Sequence, residues 1–361
     1  MPVYKTRTAF EVARRIKVFL NLEAGAVRNG TPVPGDIGAS GDPGREQELE
    51  RALEDKEREV ARLSAKLVAA GNDAPGGRRG NVKPENVIWM LGTARTGSTW
   101  LGDMMKNLPG HDLWHEPRVG EFFGFYAYER AAGRKTANFI LGPQHREVWL
   151  KSMRNFVLDG AEARFPDLEA SDYLVIKEPN GSIGAPLLMQ AMPESRMVFL
   201  IRDPRDVAAS ALDAASEGGW LQTRMKKSPR VRARVETATS QPNTLVANRA
   251  RMYLQAVSNS RDAYEAHEGP KVLVRYEELR ADTLQTMKRI YSELGILIEE
   301  RKLARVVKKH AWESIPEDKK GPGKFARKAT PGGWREDLTS KQVRIVEETT
   351  APLLKEFYPT G

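Results

Sequence analysis

The chain contains no cysteine. Disulfides, thiolate metal sites and a cysteine nucleophile are therefore excluded, and a reducing, cytoplasmic setting is expected. No charge-free apolar run is long enough to span a membrane, and the first residues lack the apolar stretch of a secretory signal. No group of His, Asp and Glu has the spacing of a metal site, so no metal is expected. What remains is ample for a fold. With 361 residues, 40% of them apolar, the chain can hold one large α/β domain plus an extension, or two modest domains. The formal charge of +9 attracts polyanions, whether nucleic acid, anionic lipid or a small phosphorylated molecule. Charge alone does not choose among them.

The first third reads as extension and linker. Residues 6–22 form a short basic amphipathic pattern: Phe10, Ala13, Ile16, Phe19 and Leu20 share a face, with Arg14, Arg15 and Lys17 elsewhere. A helix on an anionic membrane surface and a helix docked on its own domain both fit, and the short pattern favours docking or disorder. Residues 29–44 are rich in Gly and Pro and read as linker, so 1–44 is one basic segment with its linker. In residues 45–69, Leu49, Leu53, Lys56, Val60, Leu63 and Leu67 follow alternating steps of four and three. That spacing predicts a coiled-coil-like helix and a homodimer through it; a helix packed along its own domain is the alternative. Residues 70–83 form a second linker around Pro75-Gly76-Gly77, and 84–361 is the main domain.

From residue 84 the pattern alternates. Apolar, β-rich runs lie at 86–91, 173–177, 196–201 and 271–275. Helical patterns lie near 98–108, 146–158, 182–191, 204–215, 244–267, 282–294 and 340–356. Strands alternating with helices predict a three-layer α/β/α fold around a mainly parallel sheet. Ligands in such folds sit outside the carboxyl ends of the strands.

The motifs fall at those ends. The first strand runs into Gly92-Thr93-Ala94-Arg95-Thr96-Gly97-Ser98-Thr99 and then a helix. This has the spacing of a phosphate-cradling P-loop, but Ser98 stands where the lysine belongs. The backbone geometry for a phosphate is kept, and the usual ATP-gripping cation is missing; a cation sits inside the loop instead, as Arg95. Trp100 follows and can stack on a purine. A second segment, RMVFLIRDPRDVAAS, ends a strand at Arg202, caps a helix with Asp203-Pro204 and places Ser210 two turns later. Arg202 and Ser210 can clamp a phosphate, or they can pair and pack structurally. A third segment, FARKATPGGWREDLT, carries Arg327 and Lys328 in a turn-rich stretch.

Together these segments resemble the family of sulfotransferases that use 3'-phosphoadenosine 5'-phosphosulfate (PAPS). The loop GTARTGSTW is similar to the family's P-K-S-G-T-T-W, with Arg95 at the lysine position. Thr96, Gly97, Ser98 and Thr99 fall in the phosphosulfate cradle, and Trp100 at the adenine stack. Arg202, Asp206 and Ser210 resemble the 3'-phosphate motif R-x-x-x-D-x-x-x-S. The third segment is similar to F-x-R-K-G-x-x-G-x-W-K-x-x-x-T, where Arg327 and Lys328 complete the 3'-phosphate site. It departs from that pattern at Ala329 and Arg335. VLVRYEELRAD resembles a strand-to-helix segment that brings Tyr276 to the adenine. The resemblance runs from about residue 86 to 345 and implies PAPS as donor, PAP as product and no metal.

The histidine base of the cytosolic branch, in K-T-H, is absent, because Lys177-Glu178-Pro179 stands there. Glu116-Pro117-Arg118 resembles instead the glutamate of the carbohydrate and tyrosylprotein branches. Glu116 is accordingly expected as general base, His115 as its reserve and Glu178 as a weaker one. Lys177 is expected to neutralise charge on the bridging oxygen as the nucleotide leaves, with Arg95 sharing that task. Residues 212–243, with Arg224, Lys226, Lys227, Arg230, Arg232 and Arg234, read either as a cap over the acceptor site or as a solvated loop. The expected acceptor is a hydroxyl on a saccharide, glycolipid, tyrosine, or small phenol or alcohol. An atypical P-loop kinase and a non-catalytic coiled-coil nucleotide-binding adaptor are the alternatives. Nucleic acid has no motif here and is not an expected partner.

Overall fold

The computed structural model describes residues 81–130, 139–222, 225, 229–324, 326 and 328–359. The expectations for 6–22, 29–44 and 45–69, and for nearly all of 70–83, lie outside the described residues. So do Arg224, Lys226, Lys227 and Arg327.

Five parallel strands form the central sheet, in the order β2-β3-β1-β4-β5. They are β1 (Val87–Gly92), β2 (His111–His115), β3 (Tyr173–Lys177), β4 (Arg196–Ile201) and β5 (Lys271–Arg275). The runs expected at 86–91, 173–177, 196–201 and 271–275 are β1, β3, β4 and β5. Covered on both faces, these strands need apolar residues at nearly every position, which is why they read as continuous apolar runs.

Successive residues of β1 feed the two faces. Val87, Trp89 and Leu91 pack with Met153 and Val157 of α3 (Arg146–Arg164) and with Leu187 of α4 (Ala185–Ala191). The same layer holds Tyr253 of α7 (Pro242–Ala266) and Phe357 of α12 (Ser340–Phe357). Ile88 and Met90 face the other way. They pack with Met104 of α1 (Ser98–Lys106), Ile290 of α9 (Thr283–Glu293) and Leu303 of α10 (Glu300–Lys309). Each fully buried side chain of this size contributes about 1.5–3 kcal/mol relative to exposure. The expected three-layer α/β/α architecture is therefore present.

Several elements were not foreseen from the sequence. Strand β2 pairs only with β3, and its HDLWH sequence carries few strand-forming residues because an edge strand is less deeply buried. Helix α10 was hidden by its charges; only Leu303 and Val306 are buried. Helix α6 (Pro229–Ser240) lies in the stretch read as a cap or a solvated loop. Its Val235 and Ala238 are buried with Ala214, Ala215 and Leu245, so this part is not a solvated loop.

The sheet order makes β1 the switch point, with β3 on one side and β4 on the other. Connections leaving toward opposite edges open a crevice at its carboxyl end. Short α2 (Val119–Gly124) follows the bend after β2. It lies so close to the turn before α4 that a Cβ on Gly120 would sit 2.2 Å from the Gly181 carbonyl oxygen. Replacing Gly120 by Ala is expected to cost about 1–3 kcal/mol of stability, because backbone must move to relieve the overlap. Gly102→Ala is the control: its Cβ would meet only side-chain atoms at ordinary contact distance, Leu113 at 3.4 and 3.5 Å and Lys177 Cδ at 3.9 Å. Urea midpoints check this, and equal midpoints for the two variants would contradict it.

Candidate active site

The loop from Gly92 to Ser98 leaves β1 and turns sharply into α1. Arg95 and Gly97 both take left-handed conformations, at φ 76° and 85°. Glycine at position 97 is required on two grounds. The conformation is strained for an L side chain, and a Cβ would approach the Tyr276 ring to 2.7 Å. Gly97 is also the N-cap of α1 and offers no side chain to cap it. The N–H groups of the first turn have no acceptor inside the helix, and the helix dipole adds positive potential there. The loop is tied internally by Thr96, whose hydroxyl donates to the Thr93 carbonyl at 2.8 Å. It is tied externally by the Gly92 N–H, which donates to Ser182 Oγ at 2.9 Å.

To one side lies α5 (Pro204–Ala215), capped by Asp203, whose carboxylate accepts from the Arg205 N–H. Arg202 precedes it and is buried. Its backbone is fixed by the Tyr253 hydroxyl, which donates to the Arg202 carbonyl at 2.8 Å. Its guanidinium lies 4.4 Å from the Tyr276 ring centroid and donates to the Arg95 carbonyl at 3.2 Å. Arg202 Nε is buried with no partner among the described residues. The Arg95 side chain points this way too: Nε donates to Ser210 Oγ at 3.0 Å. Thus Arg95, expected beside Lys177 at the bridging oxygen, is joined to the Arg202–Ser210 side. Its left-handed backbone turns the side chain toward α5.

Asp206 has a role the sequence did not make plain. Fully buried, it accepts from the Gly332 N–H at 2.8 Å and the Trp334 N–H at 3.0 Å. It thereby pins the C-terminal PGGW turn, and α11 (Trp334–Asp337) after it, onto α5. Ala329 sits at φ 51°, a left-handed backbone at a steric cost of about 1–2 kcal/mol for a residue other than glycine. Lys328 donates to Glu336 and Asp337, both at 2.9 Å. It braces this turn.

Tyr276 and Trp100 meet edge to face at 6.4 Å beside Gly97. Tyr276 opens the short α8 (Tyr276–Ala281) directly after β5, and the Trp100 indole N–H donates to the His310 carbonyl at 2.8 Å. The two rings the sequence assigned to the adenine thus share one wall of the crevice.

On the other side stands an ion pair. Lys177, the last residue of β3, is 1% exposed, and its Nζ lies 2.6 Å from Glu116 Oε1. The same Nζ lies 3.4 Å from Thr99 Oγ1 in the first turn of α1. The Asn180 amide donates to Glu116 Oε2 at 3.0 Å. Strand register explains the meeting: His115 lies opposite Lys177, and the Glu116 N–H donates to the Lys177 carbonyl at 2.9 Å. Burial pushes the Glu116 carboxyl up, but Lys177, the charge of His115 and the Asn180 hydrogen bond outweigh it. The net shift is below the ordinary carboxylate value, so Glu116 is ionised at neutral pH. Burial and the nearby Lys177 charge lower His115, with Glu116 and Asp103 opposing, which keeps the imidazole neutral there.

Glu178 lies behind this pair. It is 1% exposed, and its Oε1 accepts from the Val119 N–H at 2.8 Å. Burial raises its carboxyl to about 7, with the charges of Glu121 and Glu116 adding and backbone N–H groups opposing. Of the expected base and its reserves, the structure brings Glu116 and His115 to the mouth of the crevice and packs Glu178 beneath α2.

The model of the Sulfotransferase family matches residues 88–300, well over half of the chain. The chain belongs to the sulfotransferase family. Sulfotransferase 2A1 of Macaca fascicularis is 23% identical over 211 residues, covering 52% of this chain and 70% of that protein. Mouse sulfotransferase SULT7A1, solved in complex with PAP, is 15% identical; the match covers 76% of this chain and 85% of that one, with a TM-score of 0.48. Sulfotransferase STF9 from Mycobacterium avium is 14% identical, with 76% and 78% covered and a TM-score of 0.45.

The raised Glu178 carboxyl gives this sulfotransferase a stability signature. A carboxyl whose folded value of about 7 lies above its ordinary 4.5 favours folding most below 4.5, and that contribution is lost as pH rises through about 7. The loss is on the order of 3 kcal/mol. Glu178→Gln mimics the neutral form, so the variant is expected to gain on the wild type between about pH 5 and about pH 8. Denaturant midpoints at both values check it; parallel pH dependence would refute it.

Proposed function

We propose that this sulfotransferase moves a sulfuryl group from PAPS to an acceptor hydroxyl, with Glu116 as general base. One observation carries the reading. An uncapped, glycine-led helix N-terminus lies between the part-buried Arg95–Ser210 pair and an ionised carboxylate held by a buried lysine. Membership of the family supports the same reaction class.

The residues fit such a donor. The unpaired Arg202 Nε and the first-turn N–H groups suit a compact polyanion. Thr96, Gly97, Ser98 and Thr99 would hold the phosphosulfate, and Trp100 and Tyr276 the adenine. Arg202, Ser210 and Arg95 would hold the 3'-phosphate. This reading reassigns Arg95 from the bridging oxygen and leaves Lys328 to brace the PGGW turn. Bound there, PAPS supplies an electrophilic sulfur on a phosphate leaving group.

Glu116 takes the proton of the acceptor hydroxyl as its oxygen bonds to sulfur. The bond from sulfur to the bridging oxygen breaks, and the electron pair leaves with PAP. Lys177, already within reach of both Glu116 and Thr99, neutralises the charge gathering on that oxygen. Its ammonium also keeps Glu116 ionised before the acceptor arrives. A kinase would need a cation at position 98, where this chain has Ser98.

Two measurements test the proposal. Calorimetric titration without magnesium should show PAP binding that depends on its 3'-phosphate and weakens about 10- to 100-fold in Arg202→Ala. A preference for Mg-ATP would overturn the donor assignment. Glu116→Gln should lower kcat by about 10²–10⁴-fold while PAP affinity stays at the wild-type value. Full activity in that variant would pass the role of base to His115.

A further inference from the structure

The backbone that carries Glu116 is strained. Glu116 and Arg118 sit at φ 54° and 67°, a left-handed region that costs a non-glycine residue about 1–2 kcal/mol each. Strain of this kind persists only where the surroundings over-determine it. Here the constraint comes from one four-residue turn, Glu178-Pro179-Asn180-Gly181. The Gly181 N–H donates to the Glu178 carbonyl at 2.9 Å and closes the turn, with proline at the position that favours it.

That turn grips the strained bend at both ends. Asn180 donates to Glu116 Oε2 at 3.0 Å, and Glu178 Oε1 accepts from the Val119 N–H at 2.8 Å. The turn is itself anchored on the donor side. The Glu178 N–H donates to the Met90 carbonyl at 2.9 Å, and Ser182, just after the turn, receives the Gly92 N–H at the head of the phosphate loop. The frame that shapes the donor loop therefore also sets the aim of the carboxylate.

We propose that Asn180 is a positioning residue of the sulfotransferase: its amide holds the Glu116 carboxylate so that the remaining lone pairs face the acceptor hydroxyl. The inference rests on Glu116 being the base. A carboxylate offers about four acceptor directions, and Lys177 and Asn180 take one on each oxygen. The charge of Lys177 fixes the ionisation of Glu116. The neutral amide of Asn180 adds direction, because it binds the second oxygen from the far side of the bend. Asn180 is exposed and packs into no core, so replacing it removes the hydrogen bond without leaving a cavity.

Asn180→Ala and Asn180→Asp test the idea, with Glu116→Gln as reference. The charged and titratable groups facing Glu116 are Lys177 from β3, His115 from β2 and Glu178 from the turn, and all stay in place in these variants. Carboxyl-carbon NMR titration of the unliganded protein, with the Glu116 signal assigned by its loss in Glu116→Gln, should show Glu116 titrating higher in Asn180→Ala. It should titrate higher still in Asn180→Asp, where a second carboxylate replaces the donor. The acid limb of the kcat/KM profile should move the same way, and kcat in Asn180→Ala should fall about tenfold. KM for the donor and PAP affinity should stay at wild-type values. An unmoved Glu116 titration, an unchanged kcat, or a loss of PAP affinity in Asn180→Ala would each overturn the proposal. If Glu116→Gln retains full activity, the base assignment fails, whereas the titration in Asn180→Ala still reports directly on the clamp.

Discussion

A lysine ammonium that is almost wholly out of water must be met by an opposite charge, and the crevice is built around that requirement. Transfer of a charge into the protein interior costs several kcal/mol unless it is paired and hydrogen-bonded. Lys177 ends a central strand with its Nζ buried, and Glu116 is the carboxylate that answers it. The pair joins two strand ends to the first turn of α1 through Thr99. Removing either partner would strand the other, so Glu116 and the first turn of α1 are coupled through one nitrogen atom. The low dielectric that makes the pair costly to break also strengthens its action on charge developing nearby.

The α5 side of the crevice obeys a similar logic with different groups. Three segments far apart in the chain converge on α5, and buried hydrogen bonds hold them there. Asp206 fixes the PGGW turn by two backbone N–H groups, Tyr253 fixes Arg202, and Arg202 holds the Arg95 carbonyl. Tyr276 lies under both the Gly97 turn and the Arg202 guanidinium. Each of these partners limits where the next can sit, which gives a site that is ordered before a ligand arrives.

Much of this was legible in the chain. The apolar runs of β1, β3, β4 and β5 are long enough to announce buried parallel strands, and the glycine turn between strand and helix marks the sharp entry into α1. Arg202 and Ser210 were read together from their spacing, and Arg95 links them: its side chain donates to Ser210 and its carbonyl accepts from Arg202. Other parts were not legible. Strand β2 is short and polar, since an edge strand with one neighbour needs less apolar surface, so nothing in HDLWH signals it. Arg95 carries its charge in the expected loop, but its direction depends on a left-handed backbone that sequence spacing does not display. Lys328 looked like a phosphate cation, and its capture by Glu336 and Asp337 depends on how the PGGW turn folds back.

By itself the sequence determined the layered α/β architecture, the place of the glycine loop between β1 and α1 and the residue types available for chemistry. Local periodicity and short-range turn geometry carry that information, and both are properties of neighbouring residues. Tertiary structure alone decided which of those residues meet. The register of β2 against β3 sets His115 opposite Lys177 and so delivers Glu116 to the buried ammonium. A shift of one residue would send the side chains of β2 to the opposite face of the sheet and leave Lys177 unpaired. That register is fixed by pairing between segments nearly sixty residues apart, a long-range constraint that no local pattern in either segment encodes.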